Sequence, residues 1–587
     1  MLMPQLPLDL FVHVLESLQP ERASPDPSLT TLISCLQANS LLREAAQVPA
    51  VWERFYCVRY QHDNDQLRSA PSRFHSQFNG NWRDMYYARR RLDQAALDLL
   101  DEMVRARRNR YKYAAALTAM SFDVWDALEI DCLFPVPSLF GTTQSYAITR
   151  RYWAEGAMNM ILRRFAITQW GRLVDEGARS VSFVDAFSYM SCFFGKTPRE
   201  TMALFVELGA ECRTHLAKRN LQLDTESRNL QEVCAEICVF MQEKDFGPVS
   251  SADFYNINNH FAHAYLTTNK RTIPISLVHV FVFLARHIGI EASPVEFPGR
   301  VLAHIPSPPG VDDFLVDVFA ASIVSLRTDL PEMLMHIGVP PDNIERYISP
   351  CGAGPMLLRS ARNIFASLRH TGTVPQAAVY VTVCIHLLLA SEPQLVAHLL
   401  SSVPPLDPLY CSTFLADLQP FLHGPSARLL EKLCEGALEQ EAVDAEIIRA
   451  RDPDRKVAHY VGMAFEHRVY GYTASIVGWD AQCTATEEWR AAMKVADLAR
   501  GANQPFYHVL TVDGSQRYVA EDNVGPIPLT AELAMEFLEK VNILSRYFSD
   551  AYTHPDSHRG RWRLSPELQR QYPDDENFAS VHDTVTL

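Results

Sequence analysis

The chain has 587 residues, too many for one hydrophobic core, so three or four folded units are expected. Hydrophobic residues make up 48% and charged residues 21%, the balance of a folded chain rather than a disordered one. The net charge of -15 argues against broad, non-specific binding to a phosphate backbone, while leaving room for a local basic patch.

The N-terminal stretch lacks a basic region followed by a small-residue cleavage site, so no secretory signal is expected. Residues 1–65 carry two amphipathic patterns. In the first, Leu10, Val14 and Leu18 recur every four residues, with Phe11 and Leu15 beside them, which gives one apolar helical face. Pro7 suits the first turn of that helix. A polar, proline-containing loop follows from Pro20 to Pro27. The second pattern runs from Leu29 through Leu32, Leu36, Leu41 and Ala45 to Val51 and Trp52.

Residues 66–118 are expected to form a connector, with one long helix over 84–118. Its arginines (Arg89, Arg90, Arg91, Arg105, Arg107, Arg108, Arg110) make it basic. Leu92, Leu99, Leu100 and Met103 give it a core-facing stripe, so a solvated connector is preferred to a nucleic-acid surface. Residues 119–345 mix helix with short strands: an apolar helix from about Pro274 to Ile288, then strand-like runs at 293–297, 301–305 and 314–319. This is an α+β pattern. Cys234 and Cys238 lie four apart and read as core thiols, because His260 and His263 downstream fit no common zinc spacing. No metal and no cofactor is expected. Residues 346–445 are helical in period, broken at Ser401 to Pro408, and the longest apolar stretch, Ala377 to Ala390, is too short to span a bilayer.

In residues 446–540 alternation replaces the helical period. Tyr472 to Trp479, Phe506 to Leu510 and Arg517 to Ala520 read as strands, and Asp513-Gly514 between the last two is a hairpin signal. A small β-barrel is expected there. The extension 541–587 is polar and is expected to pack at an edge or stay partly mobile. Twelve scattered cysteines without disulfide spacing point to a reducing compartment, cytoplasmic and/or nuclear.

Three segments resemble known families. Leu6-Pro7-x-Asp9-Leu10 with Val14-Leu15, then Leu32, Cys35, Ser40, Arg43, Val48-Pro49 and Val51-Trp52, resembles an F-box, although the loop between the helices is longer than usual. The resemblance implies docking on the Skp adaptor and cullin of an SCF ubiquitin ligase through Leu6, Pro7, Leu10, Val14, Leu15, Leu32, Leu36 and Trp52.

Arg271 to Leu277, Leu284 to Ile290, Glu296 to Arg300 and Leu315 to Phe319 resemble the SirB-type transglutaminase-like family. Active relatives of that superfamily use a Cys, His and Asp. The matching positions here are Ser276, Arg300 and Asp317. Arginine is too basic to act as a general base near neutral pH, and a serine without a base is a weak nucleophile. The expectation is therefore no catalytic residue and no enzyme; His304 or His279 could in principle substitute as a base, but packing and hydrogen-bonding roles are preferred for both. A hydrolase with an atypical nucleophile is the alternative.

Val461 to Tyr472, Ile476 to Asp480 and Gln504 to Leu510 resemble the YccV/HspQ-like family, linked to hemimethylated DNA and to proteolysis. His467, Arg468, Tyr470, Trp479 and Arg517 are candidates for gripping a protein client or DNA. Mixed local charge favours protein. The combined expectation is a multi-domain, mainly α protein with an α+β transglutaminase-like middle domain and a small C-terminal β-barrel. It would serve as a non-catalytic substrate receptor that recruits a client for ubiquitination and degradation, with a DNA-binding adaptor as a further alternative.

Overall fold

The computed structural model describes residues 7–22, 25–63, 73–133, 146–177, 179–221, 229–338, 348–370, 375–390, 409, 411, 414–422, 424–452, 456–553 and 560–585. Leu6 and the break from Ser401 to Pro408 lie outside them. The chain forms two compact units, one of Met1–Met158 with Gly436–Leu587 and one of Asn159–Glu435. No helix among the described residues is long and apolar enough to cross a membrane.

In the first unit, α1 (Leu8–Glu16) is preceded by Pro7 as its cap. The run from Leu29 to Trp52, one pattern in the sequence, is three helices: α2 (Pro27–Ala38), α3 (Ser40–Gln47) and α4 (Pro49–Arg59). Asn39 ends the first and caps the second by accepting from the Leu42 N–H. Pro49 opens the third, where its missing N–H is not needed. Their core is not self-contained. Leu15, Leu32, Val51, Trp52 and Phe55 pack with Phe74 of α5 (Arg73–Gln77) and with Met85 and Tyr86 of α6 (Trp82–Arg105).

The single helix expected over 84–118 is broken. After α6 the chain turns at Asn109, in the left-handed region at φ 62°, before α7 (Arg110–Ala119) and α8 (Trp125–Cys132). Its arginines are not all solvated either. Arg89 is buried against the Tyr60 ring and donates to the His62 carbonyl at 2.9 Å, and Arg110 pairs with buried Glu567 at 2.9 Å. The charge pattern could not show this because the partners lie far along the chain.

The C-terminal part of this unit is a five-stranded antiparallel sheet of β7 (Ala464–His467), β8 (Thr473–Asp480), β9 (Phe506–Thr511), β10 (Gln516–Ala520) and β11 (Val524–Pro526), in the order β10-β9-β8-β7-β11. It is open. The expected barrel does not close: β10 and β11 lie at the sheet's two edges and do not pair with each other, and β11, three residues long with Pro526 among them, offers few groups to a further ladder. Its apolar face is covered instead by described residues of the extension 541–587, whose polar composition points to an edge or a partly mobile tail. Phe548 of β12 (Phe548–Thr553) stacks on Trp562 of β13 (Gly560–Leu564) at 5.5 Å, and both join the sheet core with Phe537, Leu544 and Leu568. A Cβ on Gly462 would lie 2.7 Å from the Trp562 carbonyl, so only glycine lets this hairpin approach. Asp575 locks the end of the chain down, accepting from the Val461 N–H at 2.7 Å and from Trp479 at 3.1 Å.

The second unit is helical around one small sheet. The helix Pro274–His287 is apolar on nearly every face and lies at the centre of the unit, packed by Phe183–Ser188, Pro198–Lys218 and Leu230–Glu243. A short parallel pair, β1 (Gly247–Pro248) and β2 (Arg271–Thr272), precedes it. An antiparallel sheet, β3 (Ser293–Val295), β4 (Leu302–Ile305), β5 (Phe314–Asp317) and β6 (Ser322–Ser325), follows it. Helices Ala353–His370 and Gln376–Leu389 follow further along the chain. Cys234 and Cys238 are both buried on Leu230–Glu243.

Candidate functional sites

The N-terminal helices divide the expected docking residues into two sets. Leu10 and Val14, one turn apart on α1, are 48% and 54% exposed, and Pro7 beside them is exposed. Leu36 is half-buried. Leu15, Leu32 and Trp52 are buried, and the Trp52 indole donates to the Ala46 carbonyl at 2.8 Å. These three hold the helices together and offer no surface to a partner. Ile33 on α2 is an exposed apolar residue that the pattern did not single out. Arg22, in the loop after α1, reaches α8, where it pairs with Asp126 at 2.7 Å and with Glu129.

At the positions that match the transglutaminase-like triad, every group is committed elsewhere. Ser276, in the first turn of Pro274–His287, is fully buried, and its hydroxyl donates to the Asn259 carbonyl at 2.5 Å. Arg300 donates to Asp317 at 2.6 Å, and the other carboxylate oxygen of Asp317 accepts from the Ala320 N–H at 3.0 Å. An arginine thus occupies the carboxylate that would orient an imidazole. His279 lies between the Val184 carbonyl and the Tyr265 hydroxyl, and burial pushes its pKa down to about 4. His304 is paired with Asp313 at 2.9 Å. Neither faces Ser276 as a hydrogen-bonded base. One nearby thiol is Cys238, which the sequence already marks as a core thiol and which is buried. Burial, and next the Asp317 carboxylate, push Cys238 up to about 12, so it stays protonated and unreactive.

On the C-terminal sheet, His467 and Trp479 are buried, whereas Arg468, Tyr470 and Arg517 are exposed. Trp479 therefore drops out of the candidate surface, since its indole is tied to Asp575. Asp480 is a hub. It accepts from His508 at 3.0 Å, Tyr518 at 2.8 Å, Thr484 at 3.0 Å and Arg449 at 3.1 Å. Burial alone would raise its carboxyl, but the bonds from His508 and Tyr518 hold it well below the usual carboxylate range. The half-exposed His508 and buried Asp480, with Tyr518, fasten β9, β8 and β10 together, and the hydroxyl beside them, Thr484, donates to the carboxylate rather than to the imidazole.

Among the described residues, His62, Asp126 and Glu129 bring three ligand atoms close enough to share an ion. Arg22 already sits at both carboxylates, and Arg89 is 3.7 Å from Asp126. The guanidinium groups supply the positive charge an ion would bring.

Comparison with known proteins agrees with this division of the chain. Residues 207–362 match the transglutaminase-like superfamily, and residues 457–554 match the family described as hemimethylated DNA-binding protein YccV like. F-box only protein 21 from Pongo abelii is 28% identical over 355 residues, covering 57% of this chain and 53% of that protein. The Mus musculus and Homo sapiens proteins of that name are 28% and 27% identical over 362 residues. The chain is similar to F-box only protein 21.

The alignments span about half the length of the F-box only protein 21 relatives. No solved structure matches the chain significantly. The transglutaminase-like match spans Ser276, Arg300 and Asp317. The YccV-like match runs into β12, which agrees with that strand's place in the core.

Proposed function

We propose that this chain is the substrate-recognition subunit of an SCF-type ubiquitin ligase and performs no covalent step itself. The observation that carries the reading is the pair Leu10 and Val14, exposed on α1 over a core that is otherwise well filled. Such a pair is better buried against a partner helix than left in water. Similarity to F-box only protein 21 supports the same reading, with the Skp adaptor and cullin as the proposed partners and the cytoplasm or nucleus as the proposed setting, suited to cysteines without disulfide spacing. The committed hydroxyl of Ser276 and the Arg300–Asp317 pair support a binding role for the transglutaminase-like module.

The mechanism is proximity. The core of α1 to α4 continues into α6, a helix of 24 residues or about 36 Å. Just past its far end, Arg107 and Arg110 grip Glu441 and Glu567. The docking helices and the C-terminal sheet thus share one unit, and a client held on that sheet is kept at high effective concentration near the charged ubiquitin-conjugating enzyme.

Co-purification with the Skp adaptor tests the docking step. Leu10→Glu with Val14→Glu is expected to abolish it while leaving the thermal melt unchanged within about 0.5 kcal/mol, because both sites face solvent. Undiminished adaptor binding by that variant would remove the main support for the ligase reading.

A further inference from the structure

The turn joining β7 to β8 is rigid yet presents apolar side chains to water. The buried His467 ring accepts from the Val469 N–H at 3.2 Å and the Tyr470 N–H at 3.1 Å through Nδ1. The Gly471 N–H returns to the His467 carbonyl at 2.8 Å, with Gly471 at φ 66°. The Tyr470 and Tyr472 rings each lie 4.8 Å from the imidazole, and the Arg517 guanidinium caps Tyr472 at 4.2 Å. On this scaffold Val469 is 68% exposed and Tyr470 is 75% exposed. Side chains fixed before binding lose little entropy on binding, which is what an anchor requires.

Charge narrows the partner. Arg517 is balanced by Asp513 at 3.7 Å, and Lys540 by Glu536 at 2.7 Å. Arg468 is different. Its guanidinium reaches only the Asp522 carbonyl, at 3.4 Å, and among the described residues no carboxylate is within ion-pair distance of it. At this turn, among the described residues, that leaves one open cation, which suits one acidic side chain. A nucleic-acid backbone would call for several. Beside the turn, Tyr472, Thr473, Thr511, Val512, Asp513 and Lys540 line a cavity of about 280 Å³. That is smaller than the sites drug-sized ligands use and is about right for one large side chain.

We infer that this end of the sheet binds a short peptide segment of the client in which an acidic residue stands next to a large apolar one. The acid meets Arg468, and the apolar side chain packs on Val469 and Tyr470 and enters the cavity. The inference rests on the receptor reading but uses a surface separate from α1.

The test is selection of short random peptides displayed on phage against the full chain. Enriched sequences are expected to pair Asp or Glu with Phe, Tyr or Leu. A synthetic peptide of that kind is expected to bind Arg468→Glu, and separately Val469→Ser with Tyr470→Ser, at least about tenfold more weakly, or about 1.4 kcal/mol. Replacing the peptide's acid by Lys is expected to recover binding to Arg468→Glu, which excludes simple misfolding. The Leu10→Glu, Val14→Glu chain is expected to bind the peptide normally, so a failure at the turn is separable from a failure of adaptor docking. Selected peptides with no acidic–apolar pattern, binding indifferent to all three substitutions at the turn, or a DNA duplex that binds in place of the peptide and is lost in Arg468→Glu would each overturn the inference.

Discussion

Glu567 shows how much of this fold rests on single buried charges. Its carboxylate pairs with Arg110 at 2.9 Å and Arg546 at 3.2 Å, and both guanidinium groups also lie over the Trp153 ring. Burial alone would raise its pKa, but Arg546, Arg110 and Arg107 bring it down to about 2. A folded pKa below the ordinary value near 4.5 means the unfolded chain binds the proton more readily. The stabilisation is therefore complete above that value and is lost as pH falls toward about 2. Glu567→Gln keeps the shape and removes the charge, leaving two buried guanidinium groups without it. A loss of about 3–5 kcal/mol is expected in urea titrations at neutral pH, together with a flatter acid dependence. A variant as stable as the parent would show that the arginines find other partners. His467 follows the same sign from a different cause: burial first, and Arg517 next, lower its pKa. Its hold on the Val469 and Tyr470 amides should weaken as pH falls below about 6.5, seen as reduced protection of those two amides after correction for intrinsic exchange.

Among the elements, the β12–β13 hairpin is the one whose role differs most from expectation. Trp562 is buried, stacks on Phe548, and donates to the Ser475 hydroxyl at 3.0 Å. Trp562→Ala is expected to cost about 3–5 kcal/mol in chemical denaturation, whereas a residue on a loose tail would change stability by less than about 0.5 kcal/mol. What the sequence made legible was local. Alternation at Tyr472 to Trp479 and at Phe506 to Leu510, the Asp513-Gly514 hairpin, and the helix starting at Pro274 are each written in neighbouring residues. The barrel closure, the breaks at Asn39 and Asn109, and the inward turn of Arg110 depend on where chain segments meet. Arg110 and Glu567 are 457 positions apart, beyond any periodicity. The candidate sites divide in the same way. Residue types at the triad positions could be read directly, and they place Arg300 beside Asp317. Exposure could not, because an amphipathic pattern does not say whether an apolar residue meets the core or a partner, and on the pattern alone Trp52 stands with Leu10 and Trp479 with Tyr470.

For the molecule as a whole, the proximity mechanism makes a demand that chemistry by this chain would not. If the chain only tethers, Ser276→Ala should leave client ubiquitination by the reconstituted ligase at the parent rate, with stability reduced by about 1 kcal/mol for the lost hydrogen bond to Asn259. The docking pair and the client anchor must also be on one molecule, since the gain comes from linking two binding events. Under the proposed function, a chain carrying Leu10→Glu and Val14→Glu is expected to bind client but not adaptor. A chain carrying Val469→Ser and Tyr470→Ser is expected to bind adaptor but not client. Mixed in equal amounts, the two are expected to transfer no more ubiquitin to the client than either alone, and excess adaptor-deficient chain should inhibit the parent by sequestering client. Recovery of activity in the mixture would mean that client and adaptor sites act across separate chains. Loss of transfer in Ser276→Ala at unchanged adaptor and peptide binding would return a chemical role to the transglutaminase-like module.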